Sequence, residues 1–304
     1  MYRPKQGKVN RRIGLEGQSD DRQSRLGTIL IVLAVVVAGL LFWFYQSQRS
    51  GLVELNATDL CPKDRAAKPP AVFVVLIDQT DPIGELARRS VANLVLDQMV
   101  KELEAAPDEQ SVRHARVEIW TFSDRQADGY KVGDVQLSLS RALALCNPGA
   151  PAKWDHLYKN ADVVKRQHAR FYASVRDILD RSLAFPEAQT SPVIEAIYGI
   201  GAKVFSSPEV KDSRKRLIIV SDLMSNTPSL RMLSGAKPNF EAWRRTNAAR
   251  VTMPTLEGVR VTALMIPGTR PDLQRSAEFA NFWVSLFAAA GAATAGQDWL
   301  RQVQ

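Results

Sequence analysis

The chain has 304 residues, 45% hydrophobic and 24% charged, and 40 Lys and Arg against 32 Asp and Glu give it a formal charge of +8. That composition excludes wholesale disorder, and a mean hydropathy of −0.16 excludes a polytopic membrane protein. Two Cys exclude a disulfide-scaffold miniprotein and a cysteine-rich zinc module.

The first element is apolar. From Leu26 to Tyr45 the sequence reads LGTILIVLAVVVAGLLFWFY, twenty positions without a charge. At 1.5 Å rise per residue, such a helix is about 30 Å long, the thickness of a bilayer hydrocarbon core. Phe42, Trp43, Phe44 and Tyr45 gather at its far end, where aromatic rings favour the headgroup boundary. A buried core helix would carry a polar stripe. A cleaved signal peptide would have a shorter apolar stretch and a small-residue cleavage site where Gln46-Ser47-Gln48-Arg49 stands. The sequence therefore predicts a single-pass transmembrane helix over 26–45. Seven bases and three acids lie within residues 1–25, whereas Arg49 is the only base in the dozen positions after the span. The positive-inside bias predicts a cytoplasmic tail over 1–25 and an inner (cell) membrane location, with everything after the span periplasmic or extracytoplasmic. Half of the net charge then belongs to topology and anionic headgroups, and no nucleic-acid partner is expected.

Residues 46–71 contain Gly51, Pro62, Pro69 and Pro70 without sustained periodicity and read as a tether. An α/β domain is expected over 72–291, followed by a C-terminal tail over 292–304. Residues 72–77 (VFVVLI) form a β-branched run suited to a strand buried on both faces. A helix of about 20 residues follows, with Leu86, Val91, Leu94, Val95, Met99 and Leu103 near helical spacing. Residues 115–122 (ARVEIWTF) read as a second strand and 132–139 as a third, returning antiparallel. Helices are expected over 162–183, 193–205 and 273–290, and strands over 216–220 (RLIIV) and 259–266 (VRVTALMI). Gly199 and Gly201 fall inside a predicted helix and point to close packing rather than a phosphate loop. This order predicts an open, mostly parallel, doubly wound sheet with helices on both faces.

In such sheets ligands bind beyond the carboxyl ends of the strands. Three segments there carry oxygen ligands suited to a hard divalent cation: Asp78-x-Thr80-x-Pro82, Thr190-Ser191-Pro192, and Ser221-Asp222-Leu223-Met224-Ser225. In these residues the chain resembles the von Willebrand factor type A (VWA) family, whose metal-ion-dependent adhesion site combines an Asp-x-Ser-x-Ser motif, a separate Thr and a separate Asp. Asp78 matches the first Asp, Thr80 replaces the first Ser, Thr190 stands for the Thr and Asp222 for the second Asp. Pro82 departs from the pattern by removing a hydroxyl, which makes the site degenerate; Asp81 and Ser191 are neighbouring oxygens that compensate. The resemblance implies a protein-binding module whose ion, Mg²⁺ or else Mn²⁺ or Ca²⁺, is completed by an acidic residue of a partner. The alternative for Asp78 and Asp222 is a metal-free role as helix caps or ion-pair partners.

Enzymatic motifs are missing: the sequence has no Gly-x-Ser-x-Gly, His-Glu-x-x-His or Gly-x-x-x-x-Gly-Lys. His114, His156 and His168 adjoin no candidate nucleophile. The expectation is a non-enzymatic component of an envelope complex. The alternatives are a metal-assisted hydrolase on the same scaffold and a structural subunit with a vestigial site.

Cys61 precedes the first strand and Cys146 follows a strand antiparallel to it, so both fall at the same edge of the sheet. An oxidising compartment predicts a disulfide, Cys61–Cys146, rather than two buried thiols.

Overall fold

The computed structural model describes residues 29–43, 54–64, 68–80, 82–104, 112–124, 129–149, 161–184, 188, 190–234, 237–293 and 299–303. The chain forms two units, 1–53 and 54–304.

In the first unit, residues 29–43 form a helix (α1) whose large apolar side chains are exposed, Trp43 at 68% and Ile31 at 66%. Among the described residues no helix is long and apolar enough to cross a membrane. The flanks of the expected span at 26–28 and 44–45, and the basic tail over 1–25, lie outside the described residues.

The second unit is built on a seven-stranded sheet of order β3-β4-β2-β1-β5-β8-β9. Its strands are β1 (Ala71–Asp78), β2 (Arg116–Ser123), β3 (Tyr130–Val132), β4 (Val135–Cys146), β5 (Arg214–Ser221), β8 (Val259–Met265) and β9 (Leu300–Gln302). β1, β2, β5, β8 and β9 run parallel, β4 returns antiparallel to β2, and β3 pairs antiparallel with β4. A separate ribbon joins β6 (Asn226–Thr227) to β7 (Leu230–Arg231).

Every residue of β1 is buried, because alternate side chains enter two different cores. Val72, Val74 and Leu76 join one, and Phe73, Val75 and Ile77 join the other. The second core is roofed by α2 (Glu85–Glu104) and α3 (Ala161–Ser182), through Val91, Val95 and Met99 and through Phe171, Val175 and Leu179. The first is roofed by α4 (Val193–Ile200) and by the later helix Ala277–Ala289. That later helix begins at Ala277 because Ser276 caps it, accepting the Phe279 N–H at 3.2 Å. Phe279, Phe282, Trp283, Leu286 and Phe287 are fully buried along it, at about 1.5–3 kcal/mol each. The aromatic stripe is core.

Four expectations change. The strand expected over 132–139 is a hairpin: Gly133 takes a left-handed φ of 58° in the turn before β4, which runs on to Cys146. The helix expected over 193–205 ends as α4 at Ile200 and continues as a π-helical turn, Gly201–Phe205. A Cβ on Gly201 would lie 2.7 Å from the Thr255 carbonyl, and one on Gly199 2.5 Å from Leu139, so both glycines do serve close packing. Residues 300–302, expected in a tail, add β9 to the sheet, and Val303 N–H donates to Met265 O at 3.0 Å. Part of the expected tether also folds onto the domain. Leu55 and Pro62 bridge, Leu60 is buried, and Cys146 N–H donates to Asp59 O at 2.9 Å.

Cys61 and Cys146 form a disulfide. Cys146 lies opposite Arg116, where β2 begins, so the bond closes the edge of the sheet at which the parallel strands start.

Candidate functional site

At the opposite edge the parallel strands end, and the residues leaving them are polar: Asp78 from β1, Ser123 from β2, Ser221 from β5. Ile77 pairs with Val220, so Asp78 and Ser221 come level on neighbouring strands. The Ser221 hydroxyl donates to Asp78 Oδ2 at 2.7 Å, and the Ser191 hydroxyl reaches the same oxygen at 3.3 Å. Thr80 supplies Oδ1 twice, through its backbone N–H at 2.9 Å and its hydroxyl at 2.6 Å. Asp78 is only 2% exposed. Burying a carboxyl group without partners costs several kcal/mol, and these four donors offset that cost.

Asp222, 1% exposed, sits one residue beyond β5. Its Oδ1 accepts the Met224 N–H at 2.8 Å, and a Cβ on Gly268 would stand 2.4 Å from Oδ2. The loop after β8 thus approaches the carboxylate closely only because residue 268 is glycine. Gln274 clips the two exits together, donating to Asp222 O and Ile266 O at 3.0 Å each and accepting the Gly268 N–H at 3.0 Å. Between them Leu223 adopts a φ of 60°, rare for a branched side chain, while its N–H donates to Ser221 Oγ at 2.8 Å.

Thr190 does not donate to Asp78. It is exposed, and its N–H and hydroxyl donate to Asp124 Oδ2 at 3.1 and 3.4 Å. Ser191 is the residue aimed at Asp78, because an antiparallel bridge to Asn226 fixes its backbone, with Asn226 N–H donating to Ser191 O at 2.9 Å. Asp81 and His156 lie outside the described residues. Among the described residues no group of three or more His, Cys, Asp and Glu side chains is placed to hold a metal. The oxygens gathered here include the Asp78 and Asp222 carboxylates and several hydroxyls, a set that in kind suits a hard divalent ion. Asp78, Thr80, Ser191 and Asp222 are the residues that would hold one.

No protein-family model matches the sequence, and no curated protein matches it. Among solved structures the chain is similar to the conserved hypothetical protein BatB from Bacteroides thetaiotaomicron, 13% identical over 64% of this chain and 66% of that one, TM-score 0.29. The chain therefore spans just under two thirds of the BatB chain. It is similar too to the SpRpn10 VWA domain, 11% identical over 77% and 86% of the two chains, TM-score 0.34. A third similar structure is proximal thread matrix protein 1 from the mussel byssus, 16% identical over 73% and 48%, TM-score 0.31. Overlaps this loose leave the functional reading to the geometry of the site.

Two acids at this edge escaped the sequence reading. Asp124 follows the apolar run of β2 as Asp78 follows that of β1, and that parallel was the available signal. Glu195, fully buried in α4, is the lone charge in VIEAIYGI. Its Oε1 accepts the Thr227 hydroxyl at 3.0 Å and the Ser229 hydroxyl at 2.5 Å, which ties the β6–β7 ribbon to the helix behind Ser191. Burial raises its pKa above the ordinary carboxyl value, and the two hydroxyls oppose the shift.

Proposed function

We propose that the chain is a membrane-anchored, extracytoplasmic VWA-like module that binds another protein through the edge carrying Asp78, as a component of an envelope complex. The observation that carries this reading is the convergence on one buried carboxylate of hydroxyls from three separate stretches, at Thr80, Ser191 and Ser221. Among the described residues no catalytic constellation accompanies it. A nucleophile needs a base, and His168, one of the three histidines, is engaged far from this edge with Glu104 at 3.0 Å. Leu86, in the first turn of α2, stands 85% exposed at the same edge and offers an apolar contact beside the buried acid. The ion in this reading is of the Mg²⁺ type, held by Asp78, Thr80, Ser191 and Asp222; when bound, it supplies a positive charge to an acidic residue of the partner. The anchor is the apolar stretch 26–45, whose described portion is helical and presents exposed apolar side chains.

The test uses the full chain in detergent. Saturating Mg²⁺ should raise the melting temperature of the wild type by linkage and leave Asp78→Asn unmoved. A stoichiometric partner should co-purify with the wild type and be lost with Leu86→Glu, a change at an exposed position that leaves the fold intact. A partner retained by both variants would overturn the reading.

A further inference from the structure

Beside the carboxylate cluster, where β8 and β9 end, lies a groove of about 300 Å³. Its floor is apolar: Met265, Ile266, Pro267, Pro271 and Val303. Gln274, Arg275 and Gln302 add the polar groups, Gln274 buried and the other two exposed. Two nearby cations are already matched. Arg270 pairs with Asp272 at 2.8 Å and Lys237 with Glu278 at 2.6 Å, whereas Arg275 has no ion pair among the described residues. The Arg270 guanidinium also holds the Asp272 carboxyl down to about 2, so both groups stay ionised over the ordinary pH range. Among the described residues the groove therefore presents one guanidinium without an ion pair beside a largely apolar floor.

The volume sits at the lower end of the range for ligand pockets, enough for one or two residues rather than a strand running through. A terminal residue carries an apolar side chain and a carboxylate on a single Cα, which matches a small groove with one cation. Guanidinium groups bind carboxylates through paired, charge-assisted hydrogen bonds. We infer that this groove captures the C-terminal residue of a partner polypeptide, its apolar side chain against Met265 and Val303 and its α-carboxylate on Arg275. The site is separate from the proposed ion site, and Gln274 lies between them, donating to Asp222 O and lining the groove.

The probe is the tripeptide acetyl-Gly-Leu-Leu with a free carboxyl end, titrated into the full chain in detergent with EDTA present. Methionine methyl groups carry the NMR label, Met265 being one of six. The Met265 resonance should move saturably with the acid and need at least about tenfold more of the C-terminal amide, the scale of one charge-assisted pair. Arg275→Gln should weaken the acid about tenfold to the level of the amide, and Arg275→Lys should restore most of the difference. Equal affinity for acid and amide, or a Met265 resonance that does not move, would overturn the inference. Equal binding by acetyl-Leu-Asp-amide would overturn it too, by assigning the groove to acidic side chains. Because EDTA is present throughout, absence of the ion site cannot produce any of these results.

Discussion

Where β1 begins, the sheet is fastened by a covalent bond and an ion pair: the Cys61–Cys146 disulfide, and Arg216 of β5 on Glu102 at 2.6 Å. Where β1 ends, Asp78 is held by hydroxyl groups that rotate about a single bond, at Thr80, Ser191 and Ser221. The first edge resists rearrangement, and the second can exchange its partners at small cost. An edge built to be stable uses bonds that have no other use. The hydroxyls of the second edge have lone pairs that can be offered elsewhere.

The largest effect should come from the fixed edge. Its disulfide closes a loop with a sequence separation of 85, and opening it should cost about 4 kcal/mol in the chain-entropy account. Urea unfolding of the full chain with and without reductant measures this, and an unchanged midpoint would break the comparison. At the other edge, Asp78→Ala leaves buried donors without an acceptor and should cost about 3 kcal/mol by the same assay. Gly268→Ala should cost about 2 kcal/mol, because the added methyl meets Asp222 and the loop after β8 must move. Full stability in that variant would show that the loop does not close on Asp222.

A finer effect concerns Glu195. Its pKa is raised in the folded state, so its contribution is fully present below the unfolded value of 4.5 and is lost as pH rises through the folded value. Glu195→Gln keeps an acceptor for Thr227 and Ser229 and removes the ionisation. Its melting temperature should match the wild type near pH 4.5 and exceed it increasingly at higher pH. Parallel pH profiles for the two proteins would contradict the assignment.

Much of this fold was readable in the sequence, for physical reasons. β1 is legible because a strand buried on both faces must be an unbroken apolar run, and Asp78 and Asp222 are legible because they end such runs. The β3–β4 hairpin was not, since Gly133-Asp134 interrupts a pattern that otherwise alternates like one strand. β9 has only three residues, and pairing with β8 alone makes it a strand. The choice between Thr190 and Ser191 turns on a bridge to Asn226, in a ribbon too short to leave a periodic signature. Glu195 was overlooked because a lone acid in an apolar helix reads as solvent-facing until its burial is known.

The claim at the centre is that the edge where Asp78 lies meets the partner. A photo-crosslinking residue placed at Leu86, and separately at Asp212 in the exposed turn before β5, tests it in the full chain expressed in cells. The account predicts one dominant adduct from position 86, none from position 212, and loss of the first when Asp78→Asn is added. An adduct from position 212 alone, or the same adduct from both positions, would contradict it.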